Sequence, residues 1–229
     1  MSSTAAHRRS DVTIALFGAT GRTGRRVLDR LLAQGRKVRA LARDPSRLPA
    51  HANLTAIAGG THDAAAVEGA VRGAEAIVVC LGMDDIARPS TAFSDGVRAI
   101  VAAAKDAGVR RIVAIASAGA LPDPRGGLAS EHAAPGPYTN VNAEHARNYR
   151  TLAASGLDWT LMCAVDLVDD VPAGNARRAY ETLPAGGTLT GYDDLAAAIV
   201  ELLDEPESYG KRVGIVSVRR TLTPDPSPA

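Results

Sequence analysis

Ile14-Ala-Leu-Phe-Gly18-Ala-Thr20-Gly21-Arg22-Thr23-Gly24, near the start of the 229-residue chain, decides how the rest is read. The residues before Gly18 are apolar in an unbroken run. Those after Gly24 place Val27, Leu28, Leu31 and Leu32 on one helical face. Three glycines at three-residue spacing therefore stand between a buried strand and an amphipathic helix. Gly18 permits the tight turn, Gly21 lets the backbone approach a pyrophosphate, and Gly24 lets helix and strand pack closely. The helix N-terminus offers N–H groups and a partial positive charge to phosphate oxygens, with Thr20, Arg22 and Thr23 in the same loop. A glycine triplet by itself is only a turn. On the first strand–loop–helix unit of a chain it is a dinucleotide-binding fingerprint.

The same alternation continues outward from the loop. Strands are expected at Val12–Phe17, Lys37–Leu41, Leu54–Ala58, Ala76–Leu81, Arg111–Ala116, Trp159–Cys163 and Val213–Val218. Helices are expected at Arg22–Gln34, Ala64–Arg72, Thr91–Ala107, Tyr138–Ala154 and Asp193–Asp204, several of them stopped by a glycine. Strand and helix in turn, with short links, predict a single-domain α/β Rossmann-type fold, a doubly wound parallel sheet with helices on both faces. This domain is read over residues 11–219, between a flexible N-terminus at 1–10 and a disordered tail at 220–229. Two stretches break the rhythm. Leu121–Pro137 is rich in Pro and Gly and reads as a loop, and Ala164–Thr190 shows no clear period. Both follow the carboxyl ends of strands, where open α/β sheets bind ligands, so both are expected to wall the substrate site.

Bulk composition narrows the partners. Apolar residues are 46% and charged residues 22% of the chain, as in an ordinary globular protein. A net charge of +1 argues against nucleic acid or an acidic membrane as partner, since both need a concentrated basic surface. Cys80 and Cys163 each lie in an apolar run and are expected as buried thiols rather than a disulfide. No apolar stretch reaches the roughly 18 residues of a membrane span, and the N-terminus has no signal-like apolar core. The expectation is a cytoplasmic protein, a monomer or small homo-oligomer, acting on a small molecule. No metal-ligand spacing is visible among the histidines.

The end of the second strand selects the nucleotide. NAD binders tend to carry an acid there for the ribose 2′-hydroxyl. Here Ala42 fills that place and Arg43 follows, then Asp44-Pro45-Ser46-Arg47. A guanidinium suits a 2′-phosphate by charge-assisted, two-pronged hydrogen bonding, so NADP(H) is the preferred cofactor and NAD(H) the alternative. Asp44 is open to a plainer role, pairing with an arginine on a solvated loop.

Several stretches together resemble a known family: IALFGATGRTGRRVL, VRALARDPSRLP, AIVVCLGMDD, PSTAFSDGVRAIVAAAKDAGVRRIVAIASAGAL, EHAR, ASGLDWTLM and GYDDLAAAIVELLD. The chain is similar over residues 12–218 to atypical short-chain dehydrogenases/reductases, the group that includes flavin reductase (biliverdin-IX-beta reductase) and NmrA-like proteins. The resemblance implies a pyrophosphate held at Gly18 to Gly24 and a 2′-phosphate held by Arg43 and Arg47. It implies Gly60 and Thr61 beside the adenine, Leu81 and Gly82 beside a ribose, and Ser117 near the nicotinamide. The family's usual Gly-Asp pair after the third strand is Gly59-Gly60 here, which leaves the adenine contact open.

It also implies a catalytic set, which this chain only partly keeps. Typical members use Ser, Tyr and Lys, with Tyr-x-x-x-Lys on one helix face. The Lys lowers the phenol's pKa, and the Tyr donates a proton to the forming alkoxide. Ser117 and Tyr138 are present, but Asn142 stands in the place of Lys, while Glu144 keeps the family Glu position. Asn can hydrogen-bond but supplies no charge. Flavin reductase lacks the Tyr-Lys pair as well, and the resemblance to it implies direct hydride transfer with a proton from solvent or a nearby group. His145 matches a histidine of that protein's helix and is expected on the helix surface. Asp166 falls where flavin reductase has a histidine near its substrate; it is a candidate proton relay, or a cap for the following turn. The reading is an NADP(H)-dependent oxidoreductase reducing a conjugated or aromatic carbonyl, imine, quinone or flavin-like acceptor. The alternatives are a non-catalytic NADP(H)-sensing regulator and a redox-neutral isomerase that keeps its cofactor.

Overall fold

The computed structural model describes residues 12–171 and 173–218. The expected flexible start and disordered tail lie outside the described residues. The first strands run β1 (Thr13–Phe17), β2 (Lys37–Ala42), β3 (Leu54–Ala58) and β4 (Ala76–Val79). After them come β5 (Arg111–Ser117), β6 (Asp158–Ala164), β7 (Asp166–Val168), β8 (Ala176–Tyr180), β9 (Leu189–Gly191) and β10 (Lys211–Ser217). The helices are α1 (Arg22–Ala33), α2 (Ala64–Val71), α3 (Ala92–Asp106), α4 (Thr139–Ala153) and α5 (Tyr192–Leu202). All seven anticipated strands and all five anticipated helices are present, each ending within two residues of the expected bounds.

Eight strands form one sheet in the order β3-β2-β1-β4-β5-β6-β10-β8. Every pairing in it is parallel except β10 with β8. The first six positions are those of a doubly wound dinucleotide-binding sheet, in which the order reverses beside β1. Unbroken apolar strands are explained by burial on both faces. Ile14 and Leu16 join Val27, Leu28 and Leu31 of α1 and Leu195, Ile199 and Leu202 of α5 in one core. Ala15 and Phe17, pointing the other way, join Val67 and Val71 of α2, Ile100 of α3 and Leu152 of α4 in the second. Cys80 and Cys163 are both buried free thiols, as expected. Burial pushes the Cys80 thiol up to about 12 and the Cys163 thiol up as well, which makes both inert at neutral pH.

The two irregular segments hold short elements. Residues 164–191, where the sequence shows no clear period, contain β7, β8 and β9. β7 and β9 pair in parallel as a separate two-stranded ribbon, and β8 runs antiparallel along the sheet edge. The edge is charged: Arg178 pairs with Glu201 at 3.4 Å and Glu205 at 3.3 Å, which discourages edge-to-edge association. Within Leu121–Pro137, a bridge joins Pro122 to Leu128, and Ala129–His132 form a 3-10 turn.

Candidate functional site

Three glycines shape the loop between β1 and α1, each for its own reason. Gly18 has φ +85°, and a Cβ on it would lie 2.4 Å from the Cys80 carbonyl oxygen, so β1 can approach the end of β4 only without a side chain. A Cβ on Gly24 would lie 1.9 Å from the Gly18 carbonyl oxygen, inside the loop itself. Gly21 differs. Its N–H donates to the Gly18 carbonyl at 3.1 Å, its backbone is extended with φ −79°, and it precedes α1 with no side-chain cap. A Cβ there would meet only the Gly18 oxygen, at an ordinary 3.4 Å. The fold therefore demands glycine at 18 and 24, whereas at 21 the protein leaves room over the helix N-terminus. Gly82 likewise faces open space, with nothing within 4 Å of a Cβ position.

A cleft of about 530 Å³ opens where the strand order reverses. Its floor and walls come from four strand ends: Phe17, Gly18 and Thr20 after β1; Leu41, Ala42 and Arg43 at β2; Gly59, Gly60, Thr61 and His62 after β3; Leu81, Gly82, Met83, Asp84 and Asp85 after β4. Gly18, Thr20, Arg43, Gly60, Thr61, Leu81 and Gly82, anticipated on separate grounds, are thus brought to one cavity. Gly21, Arg22, Thr23, Gly24, Arg47 and Ser117 do not line it. Thr23 is buried in the first turn of α1. Arg22 lays its guanidinium 4.7 Å from the centre of the Tyr192 ring. Arg47 is exposed on the outer shoulder, where its carbonyl accepts a hydrogen bond from Arg25 at 2.7 Å.

At the end of β2 no carboxylate faces the cleft. Asp44 caps the next turn, accepting from the Ser46 hydroxyl at 2.6 Å and the Ser46 N–H at 3.1 Å. Those two bonds, with Arg47 nearby, hold its carboxyl below the usual range. Arg43 does reach the mouth, and its guanidinium meets Asp84 at 3.3 Å. Sequence reading misses Asp84, Asp85 and His62. The first two follow Leu81-Gly82 after a single residue, Met83, a position that could have marked them. The His62 ring packs on Gly60, where a Cβ would lie 2.6 Å from the ring carbon Cε1.

The catalytic candidates do not all meet. Ser117 closes β5, and its hydroxyl donates to Asn142 Oδ1 at 2.7 Å. Asn142 lies one turn into α4, its N–H bonded to the Tyr138 carbonyl at 2.8 Å. Tyr138 precedes α4, is 53% exposed, and lines a second cavity of about 600 Å³ together with Pro135, Asn142, Ala146, Arg147 and Arg150. Asn140, next in the chain to Thr139 of the second cavity, donates its amide to the carbonyl of Ile86 at 3.1 Å, in the loop that borders the first cleft. Asp166 stands apart: it is an exposed β7 residue paired in register with Leu189, and it lines neither cavity.

Two neighbours on α4 are structural. Glu144 is fully buried, accepts from the Ser94 N–H at 2.8 Å and the Ser94 hydroxyl at 3.0 Å, and pairs with Arg147. It locks α4 to α3. His145 is not on the surface: it is 8% exposed and sits edge-on to Phe93 with ring centres 5.2 Å apart. Burial lowers its pKa to about 4, so it is neutral at physiological pH.

Known proteins share this architecture. A proposed exported protein of Burkholderia pseudomallei superposes with a TM-score of 0.75 at 26% identity, over 90% of this chain and 99% of that one. A short-chain dehydrogenase/reductase of Veillonella parvula in complex with NADP gives 0.72 at 19% identity, over 90% and 94%. A proposed NADH-flavin reductase of Streptococcus pneumoniae gives 0.76 at 17% identity, over 90% and 99%. Among the described residues no helix is long and apolar enough to cross a membrane. Residues 18–206, glycine loop and cleft included, match the family model described as NAD(P)H-binding, and the chain belongs to that family.

Proposed function

We propose that this chain is an NADP(H)-dependent reductase of the atypical short-chain dehydrogenase type, acting on a conjugated or aromatic carbonyl, imine, quinone or flavin-like small molecule. One observation carries the proposal: Thr20, Arg43 and Gly82 line one cleft with open space over Gly82, and the adjoining start of α1 keeps space clear over Gly21, where the protein itself makes no demand for glycine. A dinucleotide would use that space. Its pyrophosphate would take the N–H groups at the start of α1, and its 2′-phosphate would take Arg43 in place of the missing acid. The bound nicotinamide supplies the hydride.

What remains for the protein is positioning, the larger share of such catalysis. Ser117 and Asn142, joined by their hydrogen bond, would orient the acceptor at the end of β5. The cavity rimmed by Tyr138 would receive the acceptor's body, since Ala and Pro supply much of its lining. The test is to incubate the protein with NADPH and a panel of quinones, flavins and carbonyls and to follow absorbance of the reduced nicotinamide. The Ser117 hydroxyl is committed to an uncharged amide with no ammonium beside it, and this favours the sensing regulator as a second reading. Tight NADPH binding with no turnover on any acceptor would favour that reading.

A further inference from the structure

Arg43, to which the proposed function assigns the 2′-phosphate, already has a partner. Its Nη1 lies 3.3 Å from Asp84 Oδ2 and its Nη2 3.5 Å from Asp84 Oδ1, fork against fork. Arg43 follows the end of β2, and Asp84 belongs to the loop that leaves β4. Those strands flank β1 on opposite sides, so the pair spans the cleft mouth above the glycine loop. The two side chains are 76% and 83% exposed. Pairs so exposed are weak and exchange readily. The adjacent Asp85 is differently engaged, accepting from the Ala87 N–H at 2.9 Å and meeting Arg88 at 3.4 Å.

We propose that Asp84 sets this chain's discrimination between NADP(H) and NAD(H), by competing with the 2′-phosphate for Arg43; this rests on the assignment of the cofactor to the glycine-loop cleft. The charges explain why the effect is selective. A 2′-phosphate brings nearly two negative charges to the guanidinium. It must draw Arg43 away from Asp84 and then sit near the carboxylate it has displaced. NAD(H) carries a hydroxyl there and leaves the pair in place. Asp84 thus weakens NADP(H) binding and spares NAD(H). Its removal should make the preference for NADP(H) steeper.

The test is calorimetric titration of the full chain with NADPH and with NADH at low salt, where exposed charges count most. Asp84→Asn should tighten NADPH by about three- to tenfold, the size of one exposed pair plus one like-charge contact, and move NADH by less than about twofold. The variant should melt with the parent, because the side chain is in water. In an Arg43→Ala background the gain should vanish, since the cycle isolates the coupling between the two residues. Asp85→Asn, which removes the same charge without touching Arg43, should leave the NADPH-to-NADH ratio nearly unchanged.

Equal shifts in both nucleotides, a matching effect from Asp85→Asn, or a gain that persists without Arg43 would overturn the competition. If Arg43→Ala discriminates between the nucleotides and Asp84→Asn does not, this inference fails and the cofactor assignment stands. A parent indifferent to the 2′-phosphate that becomes NADPH-selective on Asp84→Asn separates them the other way: the cofactor preference fails and the competition stands.

Discussion

Gly21→Val and Gly24→Ala should fail in opposite ways. At Gly21 the backbone is extended, a conformation valine favours, and a Cβ would touch only the Gly18 oxygen at 3.4 Å. Losing a glycine at a helix N-cap costs up to about 1 kcal/mol, and stiffening the unfolded chain returns about 0.4–1 kcal/mol. Stability should therefore hold within about 1 kcal/mol, a melting shift of at most roughly 2–4 °C at this size. The valine methyls, however, would occupy the space the pyrophosphate needs. NADPH affinity should fall at least about a hundredfold, or roughly 2.8 kcal/mol. At Gly24 the added carbon would stand 1.9 Å from a backbone oxygen, and no side-chain rotation relieves that. The loop must retreat, at a cost of about 3 kcal/mol or more, which lowers the melting point by roughly 6–12 °C. Chemical denaturation and calorimetric titration of both variants decide the matter. A Gly21→Val protein that binds NADPH like the parent, or a Gly24→Ala protein that melts with it, refutes the division of labour argued for the loop.

Other expectations follow from neighbouring contacts. Arg43→Ala should weaken NADPH by about tenfold, the lower end for a charged hydrogen bond because the side chain is exposed, and leave NADH within about twofold by calorimetry. Equal loss for both nucleotides would sink the 2′-phosphate assignment. Once an acceptor is found, Tyr138→Phe should reduce turnover by less than about tenfold, and Ser117→Ala should cost more, because Ser117 belongs to the strand end and Tyr138 to an exposed rim. A thousandfold loss in the Phe variant alone would make Tyr138 the general acid. His145 gives a pH signature. Its folded pKa of about 4 lies below that of an unfolded histidine near 6.5, so the unfolded chain gains a proton the native state refuses. Stability should be intact above about pH 6.5 and decline by up to about 3 kcal/mol as pH falls toward 4. His145→Phe should flatten that part of the profile in urea titrations; an unchanged slope would place the acid sensitivity elsewhere.

Residue order shows whatever repeats along one element. Ile14 to Phe17 are apolar in succession because both sheet faces are covered, and the glycine spacing is a property of eleven consecutive residues. The misses share a cause: each depends on residues far apart in the chain or on a pattern that polarity hides. β8 reads Ala-Arg-Arg-Ala-Tyr, an exposed edge whose charges disguise it, and β7 and β9 are three residues each, too short to show a period. His145 reads as a surface residue because the buried face of α4 is largely polar. Glu144, Asn148 and Leu152 recur every four residues, and only the last looks like core. Among the described residues, His145 Nδ1 and both polar atoms of the Asn148 side chain lack a hydrogen-bond partner, so this face is held by packing and by Glu144 rather than by a complete polar network. Asn142 marks the boundary between the two kinds of knowledge. The loss of lysine is visible in the sequence as a gap in a motif. The sequence does not show that Ser117, 25 residues earlier, turns its hydroxyl toward that amide. One hydrogen bond joins the two positions. Without an ammonium at 142, the pair cannot bring a charge to a phenol, which is why the proposed reductase reading rests on placement rather than on a dedicated acid.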